Sequence, residues 1–369
     1  MIIGVGQIVF AMQAGALFGY ALLWTIMLGT IATILYIEMC HRVATVTKDG
    51  VFTVVRSKLG ERLGTATLAG ANLVNLITCA AELAAIGIML HLLTGWNERL
   101  VIVLGAVVLG ALGSSVRLQS IERTLGLLGG GLVVLLFVAA AWQVSHLAPP
   151  PTAPVSSYQT SLHAYVAVGI FSALLKQYKV HAYPARGKAA ISGATLGALV
   201  MCALLVLGAV VFLPRGIFPN LLSSLVLPAA LPLGRTALWV ALLGMLASFG
   251  GAAAQTAMSV GYNTCQFYGI AGEAPQFTAA WVSTLILATL IVLSGARPLK
   301  LVHYAIVLGM VMMPLTYYPM LRAAGDRARM GEHATTRVQQ ALGWLFFVLI
   351  AVAALLAIPL MVLTRAGQP

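Results

Sequence analysis

A chain of 369 residues that is 60% hydrophobic and only 8% charged, with mean hydropathy +0.98, has too little polar surface to coat a water-soluble particle. Soluble folds are thereby excluded, and a polytopic membrane protein remains. The formal net charge of +12 does not point to nucleic acid, because the 21 Lys and Arg residues sit in short clusters between apolar runs, as loop residues do.

Taken in chain order, the apolar runs predict eleven spans, each read against the roughly 20 apolar residues a helix needs to cross a bilayer. Residues 1–37 carry no Asp, Glu, Lys or Arg, and divide into a short segment to about Tyr20 and a full helix to about Val43. Further spans are predicted near 64–93, 99–114, 124–145, 164–184, 189–213, 236–268, 275–295, 300–321 and 340–363. The runs are continuous rather than alternating, which excludes barrel strands. No cleavable signal peptide is predicted, because the first run is too long and lacks a basic lead.

Orientation follows from Lys and Arg. Loops after even-numbered spans hold thirteen of them: Arg42, Lys48, Arg56, Lys58, Arg62, Arg117, Arg123, Arg186, Lys188, Arg322, Arg327, Arg329 and Arg337. The opposite side holds six: Arg99, Arg215, Arg235, Arg297, Lys300 and Arg365. The richer side is cytoplasmic under the positive-inside rule. The proline-rich stretch "SHLAPPPTAPVSSYQTSLH" carries no Lys or Arg, falls outside, and is expected to be an extended linker.

Two lysines belong to neither set of loops. Lys176 and Lys179 sit in the inner half of the sixth span, where a charge costs about 2.5–3.5 kcal/mol to insert. They read in three ways: as fixed cations facing a site, as side chains snorkelling to the inner interface, or as members of structural pairs. Glu82 is the acid deep in a span, read as a proton carrier or counter-ion, or as a hydrogen-bonded structural carboxyl. Asn72, Asn75 and Thr78 are expected to join helices. Glu38 is expected to pair with Arg42 at i,i+4. Cys40, Cys79, Cys202 and Cys265 lie in or beside apolar runs without a CxxC partner and are read as packing residues. No Ser-His-Asp constellation, P-loop or metal-hydrolase motif is present, so the chain is not read as an enzyme.

Four stretches carry a family resemblance: "MQAGALFGYALLW" at 12–24, "RVATVTKDGVFTVVRSKLG" at 42–60, "MMPLTYYPMLRAAGDRARMGEH" at 312–333 and "GWLFFVLIAVAALLAIPLMVLT" at 343–364. In this order they resemble the first helix, the loop after the second, the tenth helix with its following loop, and the eleventh helix of the natural resistance-associated macrophage protein (NRAMP) family of divalent-metal transporters, in a divergent bacterial branch. The resemblance covers nearly the whole chain. It implies an all-α, inverted-repeat (5+5) transporter fold in the bacterial inner membrane, with discontinuous helices 1 and 6. Residues 1–147 would form the first repeat, 164–323 the inverted second repeat, and 338–369 an extra helix. The substrate site would lie where helices 1 and 6 break. The chain begins almost at the first break, so the first span is expected to be truncated.

Against that family this sequence departs where ligands are expected. The family's Asp-Pro-Gly-Asn of the first helix aligns with Gly4-Val5-Gly6-Gln7. The sixth-helix ligand segment aligns with Lys176-Gln177-Tyr178-Lys179; an alternative register on His181 still places a lysine at a polar ligand. The acidic pair of the third helix keeps Glu82 and replaces its Asp with Cys79, and Gln255 stands in the eighth helix where the related branch carries an acid. A divalent cation needs several anionic or carbonyl oxygens, and two ammonium groups repel it. The candidate substrate-binding residues are therefore Gly4, Gly6, Gln7, Lys176, Gln177, Tyr178, Lys179 and Gln255, with Glu82 as proton or counter-ion group and no metal or cofactor site. The expected partners are the lipid bilayer and a small ionic substrate, with or without protons, and no nucleic acid. The first reading is a secondary transporter with lysines in the metal's place. The alternatives are a cation transporter using Glu82 and backbone carbonyls, and a non-transporting membrane protein with an interaction role.

Overall fold

The computed structural model describes residues 3–115, 128–129, 131–132, 135, 138–139, 142, 157–175, 183–270 and 274–367. Among them every regular element is a helix: α1 (Val5–Phe18), α2 (Leu23–Thr47), α3 (Val51–Thr94), α4 (Glu98–Ser115), α5 (the described residues between 128 and 142), α6 (Ser157–Leu175), α7 (Tyr183–Leu207), α8 (Leu227–Tyr268), α9 (Pro275–Leu293), α10 (Pro298–Ala324) and α11 (Arg337–Leu363), with a one-turn helix Arg327–Met330 before the last. Among the described residues seven helices are long and apolar enough to cross a membrane, while α1 and the described part of α6 are shorter.

Each of the first four spans packs on the one five positions later: α1 on α6, α2 on α7, α3 on α8 and α4 on α9. The two longest helices also bend alike. α3 turns at Gly60 (φ 76°, ψ 176°) and α8 at Gly234 (φ 76°, ψ −162°), both near the helix start, in a conformation glycine adopts without strain. Residues 51–59, expected as loop, are therefore a helical lead-in to α3. Likewise Ser157–His163, expected as linker, form the first turns of α6, where Leu162 is buried.

α1 is pinned along its length to α7. A Cβ on Gly15 would collide with Leu205 O and Ala209 N, and one on Gly208 with Met12 O. Glycine on both sides lets the two backbones touch. At this crossing α7 widens into a π turn, Gly208–Phe212.

The loops sort onto two ends as the charge count requires. At one end Glu38 and Arg42 form an ion pair and both meet Gln339, Lys58 reaches Asp326 at 3.5 Å, and Thr53 Oγ1 donates to Gln266 O at 2.8 Å; these all adjoin even-numbered spans. At the other end the segments after α3, before α8, before α10 and after α11 surround one cavity. The four cysteines are unbridged, with Cys40, Cys79 and Cys265 buried.

Candidate functional site

Gly4 stands just outside α1 in extended conformation (φ −82°, ψ 161°) as its N-cap, so the helix begins immediately after it and Gly6 lies within the first turn. A helix start leaves N–H groups without intrahelical partners. Here two are met by side chains. The Val5 N–H donates to Glu82 Oε1 at 2.8 Å, and the Gly4 N–H donates to Gln7 Oε1 at 3.3 Å. Glu82 comes from α3 and is 1% exposed. The positive end of α1 gives its carboxylate a favourable seat. On the other side of the chain, Ser248 Oγ of α8 donates to Ile3 O at 2.6 Å, fixing the approach to the helix.

These groups enclose a cavity of about 40 Å³, lined by Gly4, Gly6, Gln7, Thr78, Glu82 and Ser172 together with Val74, Val302, Ala305 and Ile306. That is room for a bare ion or about two or three waters. Ser172 Oγ donates to Ile306 O at 2.7 Å and ties α6 to α10 across the cavity. A Cβ on Gly6 would meet Ile306 Cδ1, the flexible end of that side chain, at 2.8 Å, so Gly6 and Ile306 pack directly against each other. Gln7 Nε2 turns away to the sulfur of Met201 at 3.6 Å.

Four of the expected site residues are thus brought together: Gly4, Gly6, Gln7 and Glu82. Gln255 is buried in α8 and is not among the residues lining this cavity. Lys176, Gln177, Tyr178 and Lys179, with His181, lie outside the described residues. Of the expected helix-joining residues, Asn72 accepts from Asn263 Nδ2 at 3.1 Å and donates to Thr264 Oγ1 at 3.4 Å, so it links α3 to α8. Thr78 bonds only its own helix, at Val74 O, and faces the cavity instead.

Ser172, Ser248 and Ile306 were not singled out from sequence; each is an ordinary residue on an apolar helix that only the fold brings to the site. A further cluster was also missed. Phe10, Tyr165 and His303 pack in one buried layer, with Tyr165 Oη 2.7 Å from His303 Nδ1 and the Phe10 and His303 rings 4.9 Å apart. The signal available was a lone histidine inside the apolar run "KLVHYAIV". Gly169 makes room for Phe10 in this layer.

Chemically, Glu82 is the one ionisable side chain among the described residues of the central cavity. Among the described residues no group of three His, Cys, Asp or Glu side chains could hold a metal ion. A single carboxylate on a helix N-terminus can balance one positive charge or exchange one proton.

The sequence matches the family model described as natural resistance-associated macrophage protein-like over residues 1–180 and 152–359. The chain belongs to that family. It is 25% identical to the divalent metal cation transporter MntH 1 of Pseudomonas aeruginosa, over 93% of this chain and 85% of the relative. The fold is similar to that of the Eremococcus coleocola manganese transporter, with TM-score 0.71 at 17% identity, covering 96% of this chain and 83% of that one. It is also similar to MhsT solved with L-phenylalanine, with TM-score 0.65 at 16% identity over 100% of this chain and 96% of that one. The NRAMP chain thus has an all-α, inverted-repeat transporter fold and is a multi-pass membrane protein.

Proposed function

We propose that this NRAMP protein is a secondary transporter of the bacterial inner membrane whose central site is rebuilt, with Lys176 and Lys179 supplying the positive charge that a metal ion supplies elsewhere in the family. The observation that carries this reading is Gly4. It lines the central cavity at the position where the family resemblance implies a metal-binding carboxylate, and it offers no side chain. Glu82 is left as the cavity's carboxylate, already engaged by the Val5 N–H. One carboxylate and one carboxamide make a poor set for a hard divalent cation. A lysine ammonium beside Glu82 would complete the charge balance without any bound metal. Glu82 then serves as counter-ion and proton group, and Gly4, Gly6, Gln7, Gln177, Tyr178 and Gln255 belong to the substrate path.

A second reading is divalent-cation transport through Glu82 and backbone carbonyls. The name of the Pseudomonas aeruginosa relative favours it, as does a cavity large enough for one bare ion.

Uptake of Mn²⁺ and Mg²⁺ into proteoliposomes separates the two. The native chain is expected to take up neither, and a Gly4→Asp, Lys179→Glu double variant is expected to gain Mn²⁺ uptake. Asp is a favoured N-cap residue, so Gly4→Asp is compatible with the local backbone. Robust uptake by the native chain would sink the rebuilt-site reading and establish the second.

A further inference from the structure

A second, larger cavity of about 850 Å³ opens at the end of the bundle opposite the Lys- and Arg-rich loops. Its volume is that of a small-molecule pocket. Arg297, Lys300 and Arg365 line it, from the start of α10 and the end of α11, and the carboxylate among its described lining residues is Glu98. None of these four side chains takes part in the ion pairs found among the described residues.

Three cations gathered at this point are electrostatically expensive, because α10 begins here. Arg297 is its N-cap, Pro298 its first residue, no side chain caps its N–H groups, and no acidic residue stands in its first turn. A helix N-terminus already carries positive potential and favours an anion. The chain therefore adds positive charge to a positive end.

An independent observation lies at the cavity floor. His303 lines the cavity, yet it is only 1% exposed. Its Nδ1 is held by Tyr165 Oη at 2.7 Å, and its Nε2 has no hydrogen-bond partner among the described residues. The contact fits either tautomer; in the one where Tyr165 Oη donates to Nδ1, Nε2 carries the ring proton and presents a donor. A buried donor without an acceptor calls for a ligand. The rest of the wall mixes apolar residues, among them Leu92, Leu221 and Leu299, with the polar His91, Asn220 and Ser223.

We propose that this outer cavity binds an anion bearing carboxylate or phosphate oxygens, seated at the α10 N-terminus between Arg297, Lys300 and Arg365, with His303 Nε2 as the deepest donor. The apolar part of the wall accommodates a carbon body attached to the anionic group. Such oxygens can come from a soluble organic or inorganic anion, or from a phospholipid headgroup.

The test uses the full chain in nanodiscs. In neutral phosphatidylcholine discs, binding of succinate and of inorganic phosphate is measured by calorimetry, for the native protein and for the Lys300→Gln, Arg365→Gln double variant. Both lysine and arginine side chains here are on exposed residues, so the change removes charge with little packing. In parallel, discs containing phosphatidylglycerol are analysed for lipid retained on the purified protein. If the site takes a soluble anion, native binding is expected to weaken about 10-fold or more in the double variant. Where the anion is a headgroup, soluble anions do not bind, and the native protein retains phosphatidylglycerol that the double variant loses. A Glu98→Gln variant is expected to bind the same anion more tightly, which misfolding would not produce. Equal binding and retention by native and double variant would overturn the proposal, as would a native protein that takes neither soluble anion nor anionic lipid.

Discussion

Two helix starts in this molecule meet the same physics in opposite company. α1 begins at the membrane interior with a carboxylate placed on its first N–H: Glu82 accepts from Val5 at 2.8 Å, in a cavity of about 40 Å³. α10 begins at the end of the bundle opposite the Lys- and Arg-rich loops with no side-chain cap and no acid in its first turn, facing Arg297, Lys300 and Arg365 across about 850 Å³. Both ends carry positive potential. At α1 the protein answers it with its own side chain beside a small cavity, so the helix start is structurally committed. At α10 it leaves the potential standing and adds to it, which makes the site open to something from outside. The Phe10–Tyr165–His303 layer stands beside both. Val302 and Ile306 of α10 line the inner cavity, while His303 lines the outer one.

If α1 is structurally committed, crowding it should be the most damaging change. Gly15→Val would drive a side chain into the backbone of α7 at Leu205 and Ala209. A loss of at least about 3 kcal/mol, the upper end of overpacking costs, is expected, seen as a collapse in monodisperse yield and melting temperature. An unchanged melting temperature would mean that the helices do not touch there. Next in size is Glu82→Ala, which strips the cap from Val5. The expected cost is about 1–3 kcal/mol for the buried N–H left unsatisfied, and Glu82→Gln should recover part of it because an amide oxygen can still accept. Equal melting temperatures for the alanine and glutamine variants would argue that the contact does not hold α1. At the α10 start the contrast should appear: Lys300→Gln should leave thermal stability essentially unchanged, since it removes a charge in no ion pair among the described residues.

The intervening layer should be intermediate. His303→Phe keeps the ring stack with Phe10 and Tyr165 but removes the bond to Tyr165 Oη, for an expected loss of about 1 kcal/mol, together with loss of anion binding in the outer cavity. A fall in stability with anion binding intact would separate the layer from the cavity.

A small, pH-dependent effect belongs to the opposite end of the bundle. Burial opposes ionisation of Asp326, but the hydrogen bond and charge of Lys58 outweigh it and hold the carboxyl below its usual range. A depressed carboxylate adds stability above its unfolded pKa of about 4, and loses it as pH falls through the lowered folded value. Asp326→Asn should therefore lower the melting temperature slightly at neutral pH and not at all in strong acid. A difference that grows on acidification would reverse the assignment.

Much of this was legible in the sequence, for identifiable reasons. A charge-free run of apolar residues has few alternatives to a span, so the helices and the parity of the loops followed from composition. The sorting of Lys58, Asp326, Arg42 and Gln339 to one end agrees with it. The Glu38–Arg42 pair followed from helical spacing. Glu82 stood out because an acid inside a span needs a reason. Its actual partner, the Val5 N–H, was not legible, because it depends on where α1 starts and how α3 crosses it. Ser172 and Ile306 carry no sequence signal of their own; their role comes from lining one cavity with Gly6. Thr78 stood out as a polar residue in a span, but for joining helices and not for facing a cavity. The helical residues 157–163 were missed because proline and serine content suggested a linker, whereas buried Leu162 and Tyr165 draw those turns into the bundle.

The rebuilt central site can be tested without transport. Purified native protein is titrated with Mn²⁺ while electron paramagnetic resonance follows the unbound aqueous ion, alongside the Gly4→Asp, Lys179→Glu variant. With a glycine where the family places its carboxylate, the native protein should leave the aqueous Mn²⁺ signal undiminished, and the variant should deplete it by about one ion per chain. Stoichiometric depletion by the native protein would contradict the lysine-for-metal reading.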